Sequence, residues 1–455
     1  CFIFADEIQI TLTIMESKKL YIETYGCQMN FSDSEVVASI LNQDGYTLTD
    51  DIKDADLIFV NTCSIRDNAE RRVRNRIQEF KHLKSMKPTL KVGILGCMAE
   101  RLKENLLKEE SFVDLVVGPD AYRDIPRLLE EGSDGRQMAN TILSLEETYA
   151  DITPVRLDKN GISGFVSIMR GCDNYCAYCV VPFTRGHERS RDPKSILTEA
   201  KDLVAKGYKE ITLLGQNVNS FKWKEEGNDV NFSALMTQVA AISPELRVRF
   251  STSHPKDISE ELIEVIANTP NICNSIHLPV QAGSSSMLKR MKRNYTREMY
   301  IDRIEKIKSL IPDCGLSTDI IAGYCGETEE EHQATLTLMK MVGYDFAFMF
   351  KYSERPDTLA ANKYADDVPE KVKGERLQEI INLQQESSHQ SNLKDVGKTF
   401  RVLVDNVSKR SKLQMSGRTD QNKVIVFDRK DTQLGDYVNV ECTSCTTATL
   451  MGHLV

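Results

Sequence analysis

Three strand-like runs near the start of this chain stop on the same residue type. KLYIETYGC, DLIFVNTC and KVGILGC are each an apolar run that closes on a cysteine, at Cys27, Cys63 and Cys97. A fourth run, DLVVG at 114–118, closes on glycine. Helix-like stretches such as DSEVVASILNQDG and NAERRVRNRIQEF lie between them. Strands alternating with helices predict a parallel, doubly wound α/β sheet. The carboxyl ends of all its strands share one edge, and ligands bind there. The three cysteines are therefore expected to converge. One cysteine at a strand end reads as a small buried hydrophobe; three at equivalent ends point to a shared metal site.

The chain has 455 residues, enough for two or three cores. Three blocks are expected. Residues 18–146 form the α/β domain, and the polar stretch 147–163 is a linker. Residues 164–390 again alternate strand and helix, while 394–455 turn β-rich (GKTFRVLVDNV, KVIVF, DYVNVEC). The first 14 residues read as an extension ahead of Met15. The opening CFIFADEIQITLTIMESKK has no basic start and carries Asp6 and Glu7, so it does not read as a secretory signal. No apolar run reaches membrane-span length. A cytoplasmic protein with reduced thiols is expected, in which clustered cysteines among the twelve mean metal or catalysis.

The second block holds six strand candidates: GFVSIMRG, EITLLGQN, RVRFSTSH, SIHLPVQ, GLSTDIIAG and YDFAFMFKYS. Six βα units predict a partial (β/α)6 barrel, with functional groups at the carboxyl ends of its strands. Those ends carry Cys172, Gln216, Asn217, the run Ser251 to His254 with Ser253 in it, Gln281, Gly323 and Ser353. Polar residues also end strands simply to meet solvent. What points to a site is RGCDNYCAYC, in which Cys172, Cys176 and Cys179 have the spacing C-x3-C-x2-C.

Three thiolates leave a metal one ligand short. Structural zinc takes four ligands, and His187 is the only nearby candidate for the fourth. Iron–sulfur clusters take thiolates at tight spacing, and a four-iron cluster on three thiolates keeps one iron open to a small molecule.

C-x3-C-x2-C after the first strand of such a barrel resembles the radical S-adenosylmethionine superfamily. The whole layout resembles the methylthiotransferases, which have a cluster-binding N-terminal domain, a radical barrel and a small OB-like C-terminal barrel called TRAM. The resemblance covers nearly everything from Met15 onward. It rests on YGCQMNFSDSE, NTCSIRDNAE, GCMAER, GCDNYCAYCVVPFTRGHERSR, LLGQNVNS, RFSTSHP, LPVQAGSSSMLKRMKRNYT and STDIIAGYCGET. It implies two [4Fe-4S] clusters, one on Cys172, Cys176 and Cys179 and a sulfur-donating one on Cys27, Cys63 and Cys97. It also implies that S-adenosylmethionine serves as radical source and methyl donor. GCQMN, GQNVN and RGHERSR resemble the branch acting on N6-isopentenyladenosine beside the tRNA anticodon. Other branches act on threonylcarbamoyladenosine or on a ribosomal-protein aspartate, and a rival reading is a non-catalytic, metal-stabilised RNA-binding protein. Gln216, Asn217, Ser253, Gly323, Gly326 and Glu327 are the implied cofactor contacts. Tyr324 and Cys325 stand where relatives carry Phe and Pro, and loss of the Pro is expected to loosen that turn. A flavodoxin- or ferredoxin-like electron donor and a monomeric chain are implied as well.

The net charge of -9 excludes a uniformly basic surface, so an anticodon stem-loop must meet local patches. RDNAERRVRNR offers Arg72 and Arg76, and KRMKRNYTR offers Arg290 and Arg293. The tail from Lys394 has ten lysines and arginines against seven acids, and it offers Lys398, Arg401 and Arg418. Any such run also reads as a solvated face. Cys442 and Cys445 form a lone CxxC and read as ordinary strand or turn residues.

Overall fold

The computed structural model describes residues 17–63, 67–158, 160–225, 227 and 229–455; the expected extension at 1–14 lies outside them. The first block folds as a six-stranded sheet. Its strands are β1 (Lys18–Tyr25), β2 (Tyr46–Leu48), β3 (Leu57–Thr62), β4 (Lys91–Gly96), β5 (Leu115–Val117) and β6 (Met138–Asn140). The order is β2-β1-β3-β4-β5-β6, with every pair parallel. Alternate residues of β3 enter opposite cores. Leu57 and Phe59 pack beneath helix α1 (Gln28–Gln43), whereas Ile58 and Val60 pack beneath α2 (Asp67–Met86). The sheet is doubly wound, and its order reverses between β1 and β3, where such sheets bind ligands.

The second block is an open barrel of six parallel strands in two halves. One half is β7 (Ser163–Ser167), β8 (Glu210–Leu214) and β9 (Arg247–Phe250); the other is β10 (Ser275–His277), β11 (Gly315–Ala322) and β12 (Phe346–Lys351). Main-chain bonds from Cys273 to Val248 at 2.9 Å and from Ser253 to His277 at 3.3 Å join the halves. Strands β7 and β12 remain the open edges.

Helix α5 (Glu370–Leu393) runs back along the last barrel strands into a closed five-stranded barrel. Its strands are β13 (Thr399–Val407), β14 (Gln414–Arg418), β15 (Val424–Asp428), β16 (Tyr437–Cys445) and β17 (Leu450–Leu454), in the order β13-β14-β15-β17-β16. The β14–β15 turn docks on the amino ends of β8 and β9. Arg249 donates to the Thr419 carbonyl at 2.7 Å and to Glu210 at 2.8 Å, while Arg247 donates to the Arg418 carbonyl at 2.7 Å. The small barrel thus sits at the end of the large barrel opposite its carboxyl mouth. No helix among the described residues is long and apolar enough to cross a membrane.

Candidate active site

Register brings the strand-end cysteines together. Tyr25 pairs with Thr62, and Thr62 with Gly96, so β1, β3 and β4 stop level with one another. Cys27 caps α1, Cys63 follows β3, and Cys97 opens helix α3 (Cys97–Leu102). A Cβ placed on Gly26 would lie 2.8 Å from the Cys63 Cβ, so glycine lets the two loops meet at the switch point. Asn30, fully buried, cross-links the edge by donating to Asn61 Oδ1 at 3.1 Å and to the Thr62 carbonyl at 3.2 Å. Burial raises the Cys97 thiol, opposed by the Arg185 guanidinium.

The barrel trio occupies one tight loop. At Gly171, with φ +76°, a side chain would strike the His187 carbonyl at 1.9 Å, so only glycine permits that crossing. Each of the three sulfurs receives an N–H. Asn174 approaches Cys172 at 3.7 Å, Arg293 approaches Cys176 at 3.3 Å, and the Val181 amide approaches Cys179 at 3.5 Å. Donors aimed at sulfur are a feature of iron–sulfur ligation. Burial pushes the Cys172 thiol up to about 11 and also raises Cys179.

A single zinc ion would draw its sulfurs to roughly 4 Å of one another. Among the described residues, no three of His, Cys, Asp and Glu are grouped closely enough to hold one ion. In a four-iron cluster each thiolate meets a different iron, so the sulfurs need not approach one another so closely. His187 is exposed, and its ring pairs with Asp173 at 2.9 Å.

Buried ion pairs hold the two trios against each other. Asp33, on α1, accepts from Arg170 and from Arg185, each at 2.8 Å. Arg170 immediately precedes the cysteine loop, and Arg185 ends α4 (Val181–Arg185), the helix just after Cys179. Asp120 takes Arg189 at 2.9 Å, and helix α3 lies against α4. The carboxyl edge of the sheet therefore closes on the carboxyl mouth of the barrel.

Orphaned polar groups gather at that mouth. Both amide atoms of Gln216 and of Asn219, Ser253 Oγ and His254 Nε2 are buried without partners. Burial, then the charges of Arg293 and Lys256, push His254 down to about 2. The ring is neutral, and its Nδ1 accepts from the Lys256 amide at 3.2 Å, which puts the proton on the unpartnered Nε2. Asn219 is an addition to the sequence-derived set, and His254 closes the strand-end run read from the sequence.

Comparison with known proteins accounts for the whole layout. Residues 19–118 match the family described as "Uncharacterized protein family UPF0004", 166–339 the radical SAM superfamily and 393–455 the TRAM domain. The tRNA-2-methylthio-N(6)-dimethylallyladenosine synthase of Amoebophilus asiaticus is 56% identical over 450 residues, covering 96% of this chain and 93% of its own. The Phocaeicola vulgatus protein of the same name is 57% identical over 444 residues, covering 97% of each chain. This chain belongs to that synthase family. The fold alone is also shared with the radical S-adenosylmethionine methyltransferase TsrM from Kitasatospora setae. The TM-score is 0.55 at 14% identity, over 76% of this chain and 75% of that one.

The basic residues singled out from charge runs differ in their surroundings, and one of them is buried. Arg293, expected on the RNA face, is 4% exposed and bonded to the Pro279 carbonyl at 2.6 Å and to Cys176; its charge run concealed an inward turn. Arg76 is held bidentately by Glu23, Arg290 pairs with Glu331, and Lys398 pairs with Asp395. Arg401 pairs with Glu245 at 2.9 Å and Arg418 with Asp405 at 3.7 Å, while Arg72 is exposed. The sequence reading passed over another basic group. Lys409, Arg410 and Lys412 in one loop, and Arg429 and Lys430 in the next, are exposed side by side, joined by the Arg429–Leu413 main-chain bond at 2.9 Å. The acid-free run SKRSK was the available signal.

Asn217 is engaged at both ends of its amide, by Asp257 at 2.7 Å and by the His254 amide at 3.1 Å. Glu327 accepts from the Gly323 amide at 2.7 Å and from Arg376 at 3.1 Å. The turn expected to be loose is pinned by these bonds, by Gly326 donating to Asp367 at 2.7 Å, and by Tyr324 packing edge-on against Tyr178, Tyr352 and Tyr364. Cys325 is buried beside it, and Cys442 lies in the core of the small barrel.

Proposed function

We propose that this chain converts N6-isopentenyladenosine, next to the tRNA anticodon, to its 2-methylthio derivative. Cys172, Cys176 and Cys179 would hold one [4Fe-4S] cluster and Cys27, Cys63 and Cys97 the other. When bound, the clusters and S-adenosylmethionine supply radical C–H activation, sulfur and a methyl group. The chain's own residues bind, position and shield. Gln216, Ser253, Asn219 and the Nε2–H of His254 offer free hydrogen-bonding groups to the polar ends of S-adenosylmethionine. Asn217, Gly323, Gly326 and Glu327 shape the loops that carry those contacts. An adenine carbon is reached only by extracting the base, and an anticodon loop presents bases already unstacked. The exposed basic end of the small barrel, Lys409 to Lys430, suits the phosphates. An electron donor of flavodoxin or ferredoxin type, a monomeric state and a cytoplasmic location complete the reading.

One observation carries the proposal: the Asp33 bridge, which turns both cysteine trios toward a single interface. Mass spectrometry of a defined isopentenylated anticodon stem-loop after reaction tests it, with gain of a methylthio group as the expected result. An unchanged nucleoside beside a fully loaded enzyme would refute it. Anaerobic reconstitution should give about eight irons per chain, four for each cluster.

A further inference from the structure

One face of the second half-barrel is left open. Alternate residues of a strand point to opposite faces, so parity separates the two. Ile276 of β10, Leu316 and Ile320 of β11 and Ala347 of β12 are at most 2% exposed, on the helix side. His277, Ser317, Asp319, Phe346 and Phe348 take the other face, where register pairs Ser317 with Phe346 and Asp319 with Phe348. The two phenylalanines are 51% and 42% exposed, with ring centroids 4.8 Å apart. His277 stands edge-on to Phe348 at 5.8 Å, with Nδ1 3.0 Å from Ser317 Oγ and Nε2 3.4 Å from Asp319 Oδ1. The other oxygen of Asp319 has no partner among the described residues.

This face looks into the barrel. A Cβ on Gly315, of the same parity, would lie 2.3 Å from the Gln421 carbonyl, so the β14–β15 turn floors the trough. Across it, Phe165 of β7 stands edge-on to Phe31 of α1 at 5.8 Å, which covers that side. The trough therefore opens along β12. At its upper end β11 runs on to Gly323, and Asp319 lies four residues, about 13 Å, below that point of the mouth. Aromatic surface left this exposed beside a site marks a place for a ligand.

We infer that this trough receives the N6 branch of the extracted adenine, and that Phe346, Phe348 and Asp319 select the prenylated base over the unmodified one. The inference deepens the proposed function and rests on that reading. A prenylated adenine brings an apolar tail and a single N6–H donor. The two rings supply the apolar wall for the tail, and burying it there removes both surfaces from water. The unpartnered oxygen of Asp319 accepts from N6–H, while His277 and Ser317 hold the carboxyl group in place. An unmodified adenine gains nothing from the two rings. The occupant reaches the trough from the mouth, because one strand, β11, serves both. No covalent bond forms or breaks in this recognition.

The test uses reconstituted full-length protein of equal iron content, as wild type, Phe348→Ala, Phe348→Leu and Asp319→Leu. Each is titrated by filter binding with anticodon stem-loops that carry adenosine, N6-isopentenyladenosine or N6-methyl-N6-isopentenyladenosine at the target position. Wild type should prefer the isopentenylated loop to the unmodified one. Phe348→Ala should cut that preference about tenfold, the worth of a small apolar group in a pocket, and leave affinity for the unmodified loop in place. Phe348→Leu should recover part of the preference. Wild type should bind the N6-methylated loop, which lacks the N6–H, more weakly than the isopentenylated one, and Asp319→Leu should bind those two alike. An unchanged preference in Phe348→Ala overturns the inference. So does an equal loss of affinity for every loop, which would make the wall a general RNA contact. A wild-type dimer that Phe348→Ala dissociates in sedimentation would make the trough a seat for a second copy, and overturns it too. A wild type with no preference for the isopentenylated loop would instead remove the reading beneath it.

Discussion

Arg170 Nη1 donates to Asp33 Oδ1 at 2.8 Å, joining a residue two places before Cys172 to one six places after Cys27. Both side chains are at most 2% exposed. Breaking a buried pair by removing one partner costs about 3–5 kcal/mol. Asp33→Asn leaves two guanidiniums short of charge and should lose stability on that scale, read as a lower denaturant midpoint. A loss below about 1 kcal/mol, the worth of an exposed pair, would mean that the bridge is solvated.

The trios should be separable by iron count and product. Cys176→Ala and Cys97→Ala should each retain about four irons of about eight. Cys176→Ala should abolish cleavage of S-adenosylmethionine, whereas Cys97→Ala should retain cleavage and lose methylthiolation. Identical behaviour of the two variants would contradict the division of roles.

Glu100 gives a pH signature. Burial raises its carboxyl from an ordinary 4.5 to about 8. Between those values the folded chain keeps a proton that the unfolded chain has released, so stability falls as pH rises through this window, by at most about 1.4 kcal/mol per pH unit. Glu100→Gln should remove that slope. Its advantage in thermal midpoint over wild type should grow from pH 5 to 8 and level off above. A constant difference would show that Glu100 is already ionised at pH 5.

Much of this design was legible in the sequence because it rests on period and position. Apolar runs ending on Cys27, Cys63 and Cys97 specify strands of a parallel sheet, and parallel strands share an edge. The closure of that edge on the barrel was not legible. Asp33 is far from Arg170 and Arg185 along the chain, and spacing says nothing about pairs so remote. Arg293 misled for a related reason. A charge run records sign but not burial, and the chain turns sharply there, with Lys292 and Asn294 both at φ +60°, which sends Arg293 inward to Cys176. Gln216 and Ser253 stood out as polar residues ending apolar strands, but that Asn217 braces the loop follows only from its two partners.

The two basic regions should respond differently to mutation. Arg410→Glu, or the pair Lys409→Glu and Lys412→Glu, should weaken stem-loop binding and lower its salt dependence by roughly one unit of log–log slope per lost phosphate contact. Arg293→Lys should leave that slope unchanged and alter the spectrum of the barrel cluster. Filter binding at several salt concentrations, with spectroscopy of the same samples, separates the two.

Gln216→Ala removes two buried groups that have no partner within the protein. Its affinity for S-adenosylmethionine should fall about tenfold, the worth of one or two hydrogen bonds, while the fold keeps its stability. Calorimetric titration beside a melting curve checks both. Loss of stability with unchanged affinity would assign Gln216 to the loop.

The crossing at Gly171 bears on how the cysteine loop takes its shape. The Cys172 amide reaches the Gly186 carbonyl at 3.2 Å, and the Ala177 amide reaches that of Met291 at 2.9 Å, so the path of the loop is set by peptide groups rather than by sulfur. Small zinc modules are shaped by the ion they enclose. Here main-chain hydrogen bonds fix the course of the loop that carries the three sulfurs, as in a mould cut by the backbone itself.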